Sequence, residues 1–232
     1  MGRSVALVPV STTGSETSWL VAEPVVERIQ LDETSWVDVV RGLLPTAEAD
    51  TVHDELVATV PWEQGRVFRY ERWVEMPRLE GYQSGSTRHP ALGEVQNWIS
   101  RRYRVRFDGV ALAQYRNERD GVGFHRDREL RWLEDTVIGA LTLGAKRPWL
   151  MKPLNGIRRG DEDDLVGAFD LSPASGDLLV MGGRCQAAWL HAVPKVRHRV
   201  RSRVSGQWRW TSRRGERDRN PSFFAPRHYS RS

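Results

Sequence analysis

Residues 135–154, DTVIGALTLGAKRPWLMKPL, set the class of fold. They form two short apolar runs separated by Gly, Lys and Pro, a composition typical of strands joined by a turn. Similar runs occur on both sides of this segment: GVALAQYR, GDLLVMGG, AAWLHAVP and SRVSGQWRW. Short strands divided by turn residues predict a β-sandwich or barrel for the chain from about residue 109 onward.

Helical patterns precede these strands. TAEADTVHDELVATVPW (46–62) has apolar residues at helical spacing, with Thr46 as a candidate N-cap. LGEVQNWISRRYRV (92–105) is a second candidate helix. We expect residues 25–44, VVERIQLDETSWVDVVRGLL, to begin extended and then to form one or two helical turns. The alternating segment GRVFRYERWVEMPRL predicts a strand that Pro77 closes.

Length and composition indicate one domain. The chain has 232 residues, 39% of them hydrophobic, which is enough for a single sizeable core. We predict that this domain spans residues 21–212, between a flexible leader (1–20) and a basic C-terminal tail (213–232). Pro9 breaks the short apolar patch of the leader, which favours a loose segment over a signal peptide. No apolar stretch approaches the roughly 18 to 20 residues of a membrane-spanning helix, so we expect no membrane partner.

The charge of the chain suits a polyanionic partner. The formal net charge is +5 and arginine far exceeds lysine, a bias that suits phosphate contacts. An arginine-rich genome would give the same bias without such a partner. The segment SRRYRVR (100–106) and the C-terminal tail are candidate phosphate contacts, with a solvated surface as the alternative. Cys185 is the only cysteine, which excludes an internal disulfide and favours a reducing, cytoplasmic location.

Three residues predict a metal centre. His125 and Asp127 lie in GFHRDRE, and His191 lies in WLHAVPK. On an extended strand, residues two apart point to the same face, so His125 and Asp127 can reach one ion. Two imidazoles and one carboxylate leave coordination positions open and favour non-haem Fe(II) oxygen chemistry. Zinc with a bound water, acting in hydrolysis, is the alternative.

Two arginines predict an anion site. Arg203 and Arg209 lie six positions apart in RVSGQWR, so a regular strand places both on the face that also carries Ser205 and Gln207. Two guanidiniums suit a small dicarboxylate such as 2-oxoglutarate. The alternative is that both are surface arginines in an arginine-rich run. The pattern does not decide whether the odd or the even residues of this strand are buried.

The same residues carry a family resemblance. The segments YRNERDGVGFHRDRE, ALTLGAKRPWLM, GDLLVMGGRCQAAWLHAVPK and RVSGQWR resemble, in order and spacing, the AlkB family of Fe(II)- and 2-oxoglutarate-dependent dioxygenases. The resemblance covers about residues 60–212. It implies an α+β, mainly β fold, with a double-stranded β-helix (jelly-roll) core and flanking N-terminal helices.

The resemblance also implies roles for the cofactor residues. His125, Asp127 and His191 would hold the iron. Arg203 would bind the distal carboxylate of 2-oxoglutarate, and Tyr115 would donate its hydroxyl to the same end. Arg209 would lie nearer the carboxylate and keto group that chelate the metal.

On the substrate side, the resemblance implies that Glu129 lies near the target base and that Trp189 packs in the site wall. Arg78, in the PRL element, with Trp73 and Tyr82, completes the candidate substrate residues.

The sequence departs from the family pattern at two places. The family has Asn two residues before the tyrosine, where this chain has Ala113. One hydrogen bond to 2-oxoglutarate is then missing, which costs about 1 kcal/mol unless Ser205 or Gln207 replaces it. The segment after Pro77 is short, and it offers only Tyr82 and His89 for stacking on a base.

These features lead to one hypothesis of function and two alternatives. The resemblance implies oxidative demethylation of N-alkylated bases in DNA or RNA by a monomer, with Fe(II) as cofactor and 2-oxoglutarate and O₂ as co-substrates. Formaldehyde, succinate and CO₂ would be released. The first alternative is an oxygenase of the same fold that acts on a protein or a small molecule. The second is a non-catalytic nucleic-acid-binding module.

Overall fold

The strands predicted after residue 109 form two antiparallel sheets. The structure, a computed structural model, describes residues 18–69, 71–127, 130–154, 165 and 167–217. The strands are β1 (Glu27–Gln30), β2 (Ser35–Val40), β3 (Glu63–Arg69), β4 (Arg72–Gln83), β5 (Val110–Tyr115), β6 (Val122–His125), β7 (Thr136–Gly144), β8 (Leu150–Pro153), β9 (Phe169–Asp170), β10 (Leu178–Gly183), β11 (Trp189–Val193) and β12 (Arg203–Thr211). The helices are α1 (Thr46–Thr59), α2 (Pro90–Tyr103) and α3 (Cys185–Ala188), with a 3₁₀ turn at Gly85–Thr87.

The large sheet has the strand order β1-β2-β10-β7-β12-β5-β4-β3, and the small sheet has the order β6-β11-β8-β9. One core lies between the large sheet and the helices α1 and α2. The other core contains side chains of both sheets. The prediction of a mainly β jelly-roll core with N-terminal helices is confirmed.

The two faces of the large sheet supply different cores. On β12, Val204 and Trp208 pack in the helix-side core and are fully buried. Arg203 and Ser205, on the opposite parity, are also buried. The sequence pattern could not decide which parity of this strand is buried because helices cover one face and the small sheet covers the other. All the odd-numbered residues of β12 therefore face the space between the sheets.

The prediction of helical turns within residues 25–44 was wrong, because this segment forms β1 and β2. Strand β2 lies between β1 and β10 in the large sheet. Its buried Asp38 is neutralised by Arg28, whose Nε lies 2.6 Å from Oδ1. Tyr103 donates its hydroxyl to the other carboxylate oxygen at 2.8 Å. A strand buried on both faces lacks the alternation that identifies strands.

Pro77 does not close the strand that contains it, since β4 continues to Gln83. The pairing of β3 with β4 shifts between Gln64 and Arg66, so three residues of β4, including Pro77, face one residue of β3. This bulge accommodates a residue that has no N–H to donate. The carbonyl of Pro77 accepts from the N–H of Gly121 at 2.8 Å, which fixes the start of β6 against β4.

The two helices predicted from spacing are confirmed. Helix α1 begins at Thr46, with Pro45 in the N-cap position that we had expected Thr46 to take. Helix α2 buries Val95 and Ile99 against the large sheet. No helix of the described residues is long and apolar enough to cross a membrane.

Parts of the predicted leader and tail contact the domain. Ser18 Oγ donates to Glu94 of α2 at 2.6 Å. At the other end, Arg217 pairs with Trp132 in an isolated bridge. Residues 1–17 and 218–232 of these two segments lie outside the described residues.

Candidate metal centre and anion site

The small sheet brings the three predicted metal ligands together. His125 is the last residue of β6, and it lies directly opposite His191 of β11. Asp127 follows two residues after the end of β6, in the loop and not on the same strand as we had expected. One ligand atom from each of the three residues lies within 4.8 Å of the others. This donor set fits a divalent metal ion with open positions.

Both imidazoles are oriented for binding. His125 Nδ1 lies 2.9 Å from the carbonyl oxygen of Gly123. Since a carbonyl only accepts, Nδ1 carries the proton and Nε2 keeps its lone pair for a metal. The ring of His191 stacks on Trp149, with centroids 5.4 Å apart and an interplanar angle of 10°. The indole of Trp149 therefore fixes the plane of the second imidazole.

Two partners fix Asp127. Its backbone N–H donates to Gln186 Oε1 at 2.8 Å, and Gln186 is fully buried. Its carboxylate oxygen Oδ1 lies 2.9 Å from Arg209 Nη2. Sequence reasoning missed Gln186, which lies on α3 and contacts Asp127 from 59 positions away; no local spacing signals this contact.

The protonation states of the three residues suit metal binding. Burial alone would raise the pKa of the Asp127 carboxyl, but the positive charge of Arg209 holds this pKa well below its ordinary value. Burial lowers the pKa of His125. Burial and the neighbouring His125 lower the pKa of His191 to about 3. A carboxylate and two neutral imidazoles are the forms that ligate a metal.

The predicted anion site is built around Arg203. This residue lies directly opposite Tyr115 of β5 and is fully buried. Its Nη2 donates to Thr142 Oγ1 at 2.9 Å, while Nε and Nη1 have no hydrogen-bond partner among the described residues. Burial lowers the pKa of Arg203 to about 10. A buried guanidinium with unpartnered N–H groups is costly unless an anion meets it, so the site fits the carboxylate of 2-oxoglutarate.

A second buried arginine supports this site, and sequence reasoning missed it. Arg147 is 1% exposed, and its Cζ lies 5.5 Å from the centroid of the Tyr115 ring. Its Nη2 donates to the carbonyl oxygens of Asp120 and Pro194 at 2.7 and 2.8 Å. Arg147 thus ties the loop after β5 to the chain that leaves β11. Its carbonyl contacts are tertiary, and sequence spacing carries no signal for them.

The structure also locates the two candidate replacements for the missing Asn. Ser205 lies directly opposite Ala113 on the neighbouring strand and is 2% exposed. Gln207 instead contacts Arg209 through its amide oxygen. Of the two candidates, Ser205 is therefore better placed to supply the hydrogen bond that the family Asn makes and Ala113 cannot.

Three of the candidate substrate residues, Arg78, Trp73 and Tyr82, lie on β4. Arg78 is near enough to the metal centre for its charge to lower the pKa of both His125 and His191. Its guanidinium pairs with Glu80 at 3.0 Å. Trp73 is 67% exposed and Tyr82 is 38% exposed, at the two ends of β4 on either side of Arg78.

The remaining two predicted site residues are Glu129 and Trp189. Glu129 lies outside the described residues. Trp189 packs edge-on against Phe169 and donates its indole N–H to Asp32 at 2.7 Å, so it anchors the start of β11.

Comparison with known proteins gives relatives in one family. The family model described as the 2OG-Fe(II) oxygenase superfamily matches residues 37–219. The alpha-ketoglutarate-dependent dioxygenase alkB homolog 3 of Homo sapiens is 29% identical over 177 residues, which cover 71% of this chain and 62% of that protein. The DNA oxidative demethylase ALKBH2 of Arabidopsis thaliana is 26% identical over 212 residues, which cover 74% of this chain and 65% of that protein. The chain spans less than two thirds of the length of either curated relative.

The fold also matches a solved structure. The structure of OsALKBH1 superposes with a TM-score of 0.51 at 12% sequence identity, over 80% of this chain and 100% of that one. At this identity the match shows a shared fold.

Proposed function

We propose that this chain, which belongs to the 2OG-Fe(II) oxygenase superfamily and within it to the AlkB family, oxidatively removes alkyl groups from the bases of nucleic acid. The observation that carries the proposal is the pairing of a His-Asp-His ligand set with the buried Arg203. The ligand set fits Fe(II), and the partnerless N–H groups of Arg203 fit the distal carboxylate of 2-oxoglutarate. The similarity to the DNA oxidative demethylase ALKBH2 of Arabidopsis thaliana supports the substrate class.

The residues of the chain supply positions and charges. His125, Asp127 and His191 hold Fe(II), which, with 2-oxoglutarate and O₂, supplies the oxidising chemistry of the family. Arg203 orients the co-substrate by its distal carboxylate. Arg209 keeps Asp127 ionised and oriented through the contact at 2.9 Å. Asp127 and His191 are buried, so these charges act in a medium of lower dielectric than water.

The overall reaction balances without a further reductant. One oxygen atom of O₂ goes to succinate, which 2-oxoglutarate yields with loss of CO₂, and the other hydroxylates the N-methyl carbon. The N–CH₂OH product then loses formaldehyde, and the proton of its hydroxyl returns to the base nitrogen. Arg78, which is paired with Glu80 and whose charge acts on both imidazoles, is our candidate contact for the incoming base. The base must leave a stacked helix or come from a single strand to reach this depth.

A product assay tests the proposal. The full chain is incubated with Fe(II), ascorbate, 2-oxoglutarate and oligonucleotides that contain 1-methyladenine or 3-methylcytosine, as DNA and as RNA. We expect formaldehyde, succinate and the unmodified base in equal amounts, all abolished by His125→Ala. Succinate formation without any repaired base in the whole panel would overturn nucleic-acid demethylation and favour a protein or small-molecule substrate. Oligonucleotide binding without any turnover of 2-oxoglutarate would favour a non-catalytic binding module.

A further inference from the structure

Besides Arg197, Arg199 and Arg201 in the segment before β12, the exposed arginines of the described chain include one cluster near α2 and one cluster after β12. Arg101, Arg102 and Arg106 lie on α2 and just beyond it. Helix α2 packs on the helix-side core, so this cluster is behind the large sheet as seen from the metal centre. Arg213 and Arg214, with Arg217, instead follow β12, the strand that carries the anion-site arginines.

The second cluster belongs to a surface formed by two segments that are hydrogen-bonded to each other. We call this surface the C-terminal ridge and define it as residues 211–217 with residues 132–135. Thr211 Oγ1 donates to the carbonyl oxygen of Trp132 at 2.6 Å. The N–H of Ser212 donates to the carbonyl oxygen of Asp135 at 3.0 Å. A Cβ added to Gly215 would come within 2.4 Å of Glu134 Cγ. The backbone after β12 is therefore packed along residues 132–135.

The ridge presents three exposed arginines, one of which lies over an aromatic ring. Arg217 Cζ lies 5.7 Å from the centroid of Trp132, and Arg213, Arg214 and Arg217 are all exposed. Within the described part of the chain, none of these three arginines forms an ion pair. The acid Glu134 on the ridge is already paired with Arg184. Asp135 and Glu216 remain, and they leave the ridge with an excess of positive charge.

Both segments of the ridge are close in sequence to residues of the metal centre. Arg209, the partner of the metal ligand Asp127, is four residues before Arg213, at most about 13 Å along an extended strand. The other segment, residues 132–135, begins five residues after Asp127 and follows Leu130, which is buried in the core between the sheets. The ridge thus lies at the iron end of β12, away from Arg203.

We infer that the C-terminal ridge binds the phosphate backbone of the strand whose base enters the metal centre. The inference rests on the proposed function. Arginine forks form paired hydrogen bonds with phosphate oxygens, and contacts of this kind set the position of a nucleic acid without reading its sequence. The arginines behind the large sheet have the same exposure and charge, but they do not adjoin the metal centre.

Two triple variants test this inference, and they remove the same charge. One has Arg213, Arg214 and Arg217 changed to Ala, and the matched control has Arg101, Arg102 and Arg106 changed to Ala. Binding of a labelled single-stranded DNA of about 15 nucleotides, with one 3-methylcytosine, is followed by fluorescence anisotropy over a range of salt concentrations. The assay contains no 2-oxoglutarate, so no turnover occurs.

We expect the ridge variant to bind about tenfold more weakly, with a salt slope lower by about 2, because roughly 0.7 counterion is released per single-strand phosphate contact. The control variant should bind as wild type does. Turnover of 2-oxoglutarate without nucleic acid should be unchanged in the ridge variant, since the metal centre is intact. Wild-type affinity in the ridge variant, or an equal loss in both variants, overturns the inference.

The failure of this inference differs from the failure of the proposed function. If the wild-type chain demethylates the oligonucleotide while the ridge variant binds it as tightly, only the role of the ridge is lost. If the wild-type chain neither binds nor demethylates the oligonucleotide, the proposed function is lost as well.

Discussion

The carboxylate of Asp127 and the guanidinium of Arg209 form an ion pair of 2.9 Å in which the two side chains are only 4% and 8% exposed. The pair joins a metal ligand on the loop after β6 to the strand that carries the anion site. Arg209 also holds the pKa of Asp127 low, against the effect of burial. This contact therefore joins the predicted metal centre to the strand of the predicted anion site, and a double substitution can measure its contribution.

Replacing Asp127 by Ala should cost stability as well as activity. The guanidinium of Arg209 would stay buried without its carboxylate, and we expect the metal-free protein to lose about 3 kcal/mol of unfolding free energy. Adding Arg209→Met should recover most of this stability and none of the turnover. Urea unfolding of the wild type, the two single variants and the double variant measures the coupling. A double variant no more stable than Asp127→Ala would contradict the expectation.

Replacing Arg203 by Met should separate co-substrate binding from stability. The variant loses the charge-assisted hydrogen bonds to the distal carboxylate, so we expect the KM for 2-oxoglutarate to rise about a hundredfold or more. The unliganded variant should be at least as stable as wild type, since Arg203 is a buried cation with unpartnered N–H groups. Initial rates at varied 2-oxoglutarate concentration measure the KM, and thermal unfolding with and without 2-oxoglutarate, in the presence of Mn(II), measures stability and binding. A large drop in Tm without ligand would instead show that Arg203 is mainly structural.

Spacing within single segments predicted that His125 and Asp127 lie together and that Arg203 and Arg209 share one face of a strand, but it could not place His191, which comes from another strand. Strand parity places Arg203 and Ser205 on one face of β12, and the short spacing of His125 and Asp127 keeps both near one ion. The resemblance to the AlkB family, now confirmed, supplied Tyr115. Gln186 and Arg147 were missed since they act through hydrogen bonds to distant backbone groups, and such contacts leave no pattern in a single sequence.

The error over residues 25–44 has a different cause. In β2, Val37 and Val39 enter the core between the sheets while Val40 enters the helix-side core. Burial on both faces removes the alternation of apolar and polar residues that identifies a strand. In the sequence, Asp38 within the run indicates an exposed position, because its partners Arg28 and Tyr103 are not evident there. Short runs of this kind fit a strand and a helical turn equally well.

We predict that Ser205 compensates for the hydrogen bond that Ala113 cannot make. If Ser205 supplies the hydrogen bond to 2-oxoglutarate that Ala113 cannot, Ser205→Ala should raise the KM for 2-oxoglutarate about fivefold, the effect of roughly 1 kcal/mol. Ala113→Asn should lower this KM by a similar factor. The double variant should bind 2-oxoglutarate about as wild type does, because the new amide replaces the lost hydroxyl. Initial rates at varied 2-oxoglutarate would check the KM values, and isothermal titration with Mn(II) present would check the binding constants. An unchanged affinity for 2-oxoglutarate in Ser205→Ala would rule the compensation out.

Gln186 should act as a positioning residue for the metal. Replacing it by Leu keeps the volume but removes the acceptor at 2.8 Å from the N–H of Asp127. We expect affinity for Co(II), measured by anaerobic titration, to fall about tenfold, as for other groups that orient a metal ligand. Met181→Leu is the matched control, since it removes the sulfur that lies 3.9 Å from Gln186 Nε2 and leaves the bond to Asp127 intact. Equal metal affinities in the two variants would show that Gln186 only fills space, and a loss confined to Gln186→Leu would show that its oxygen holds the ligand loop in place.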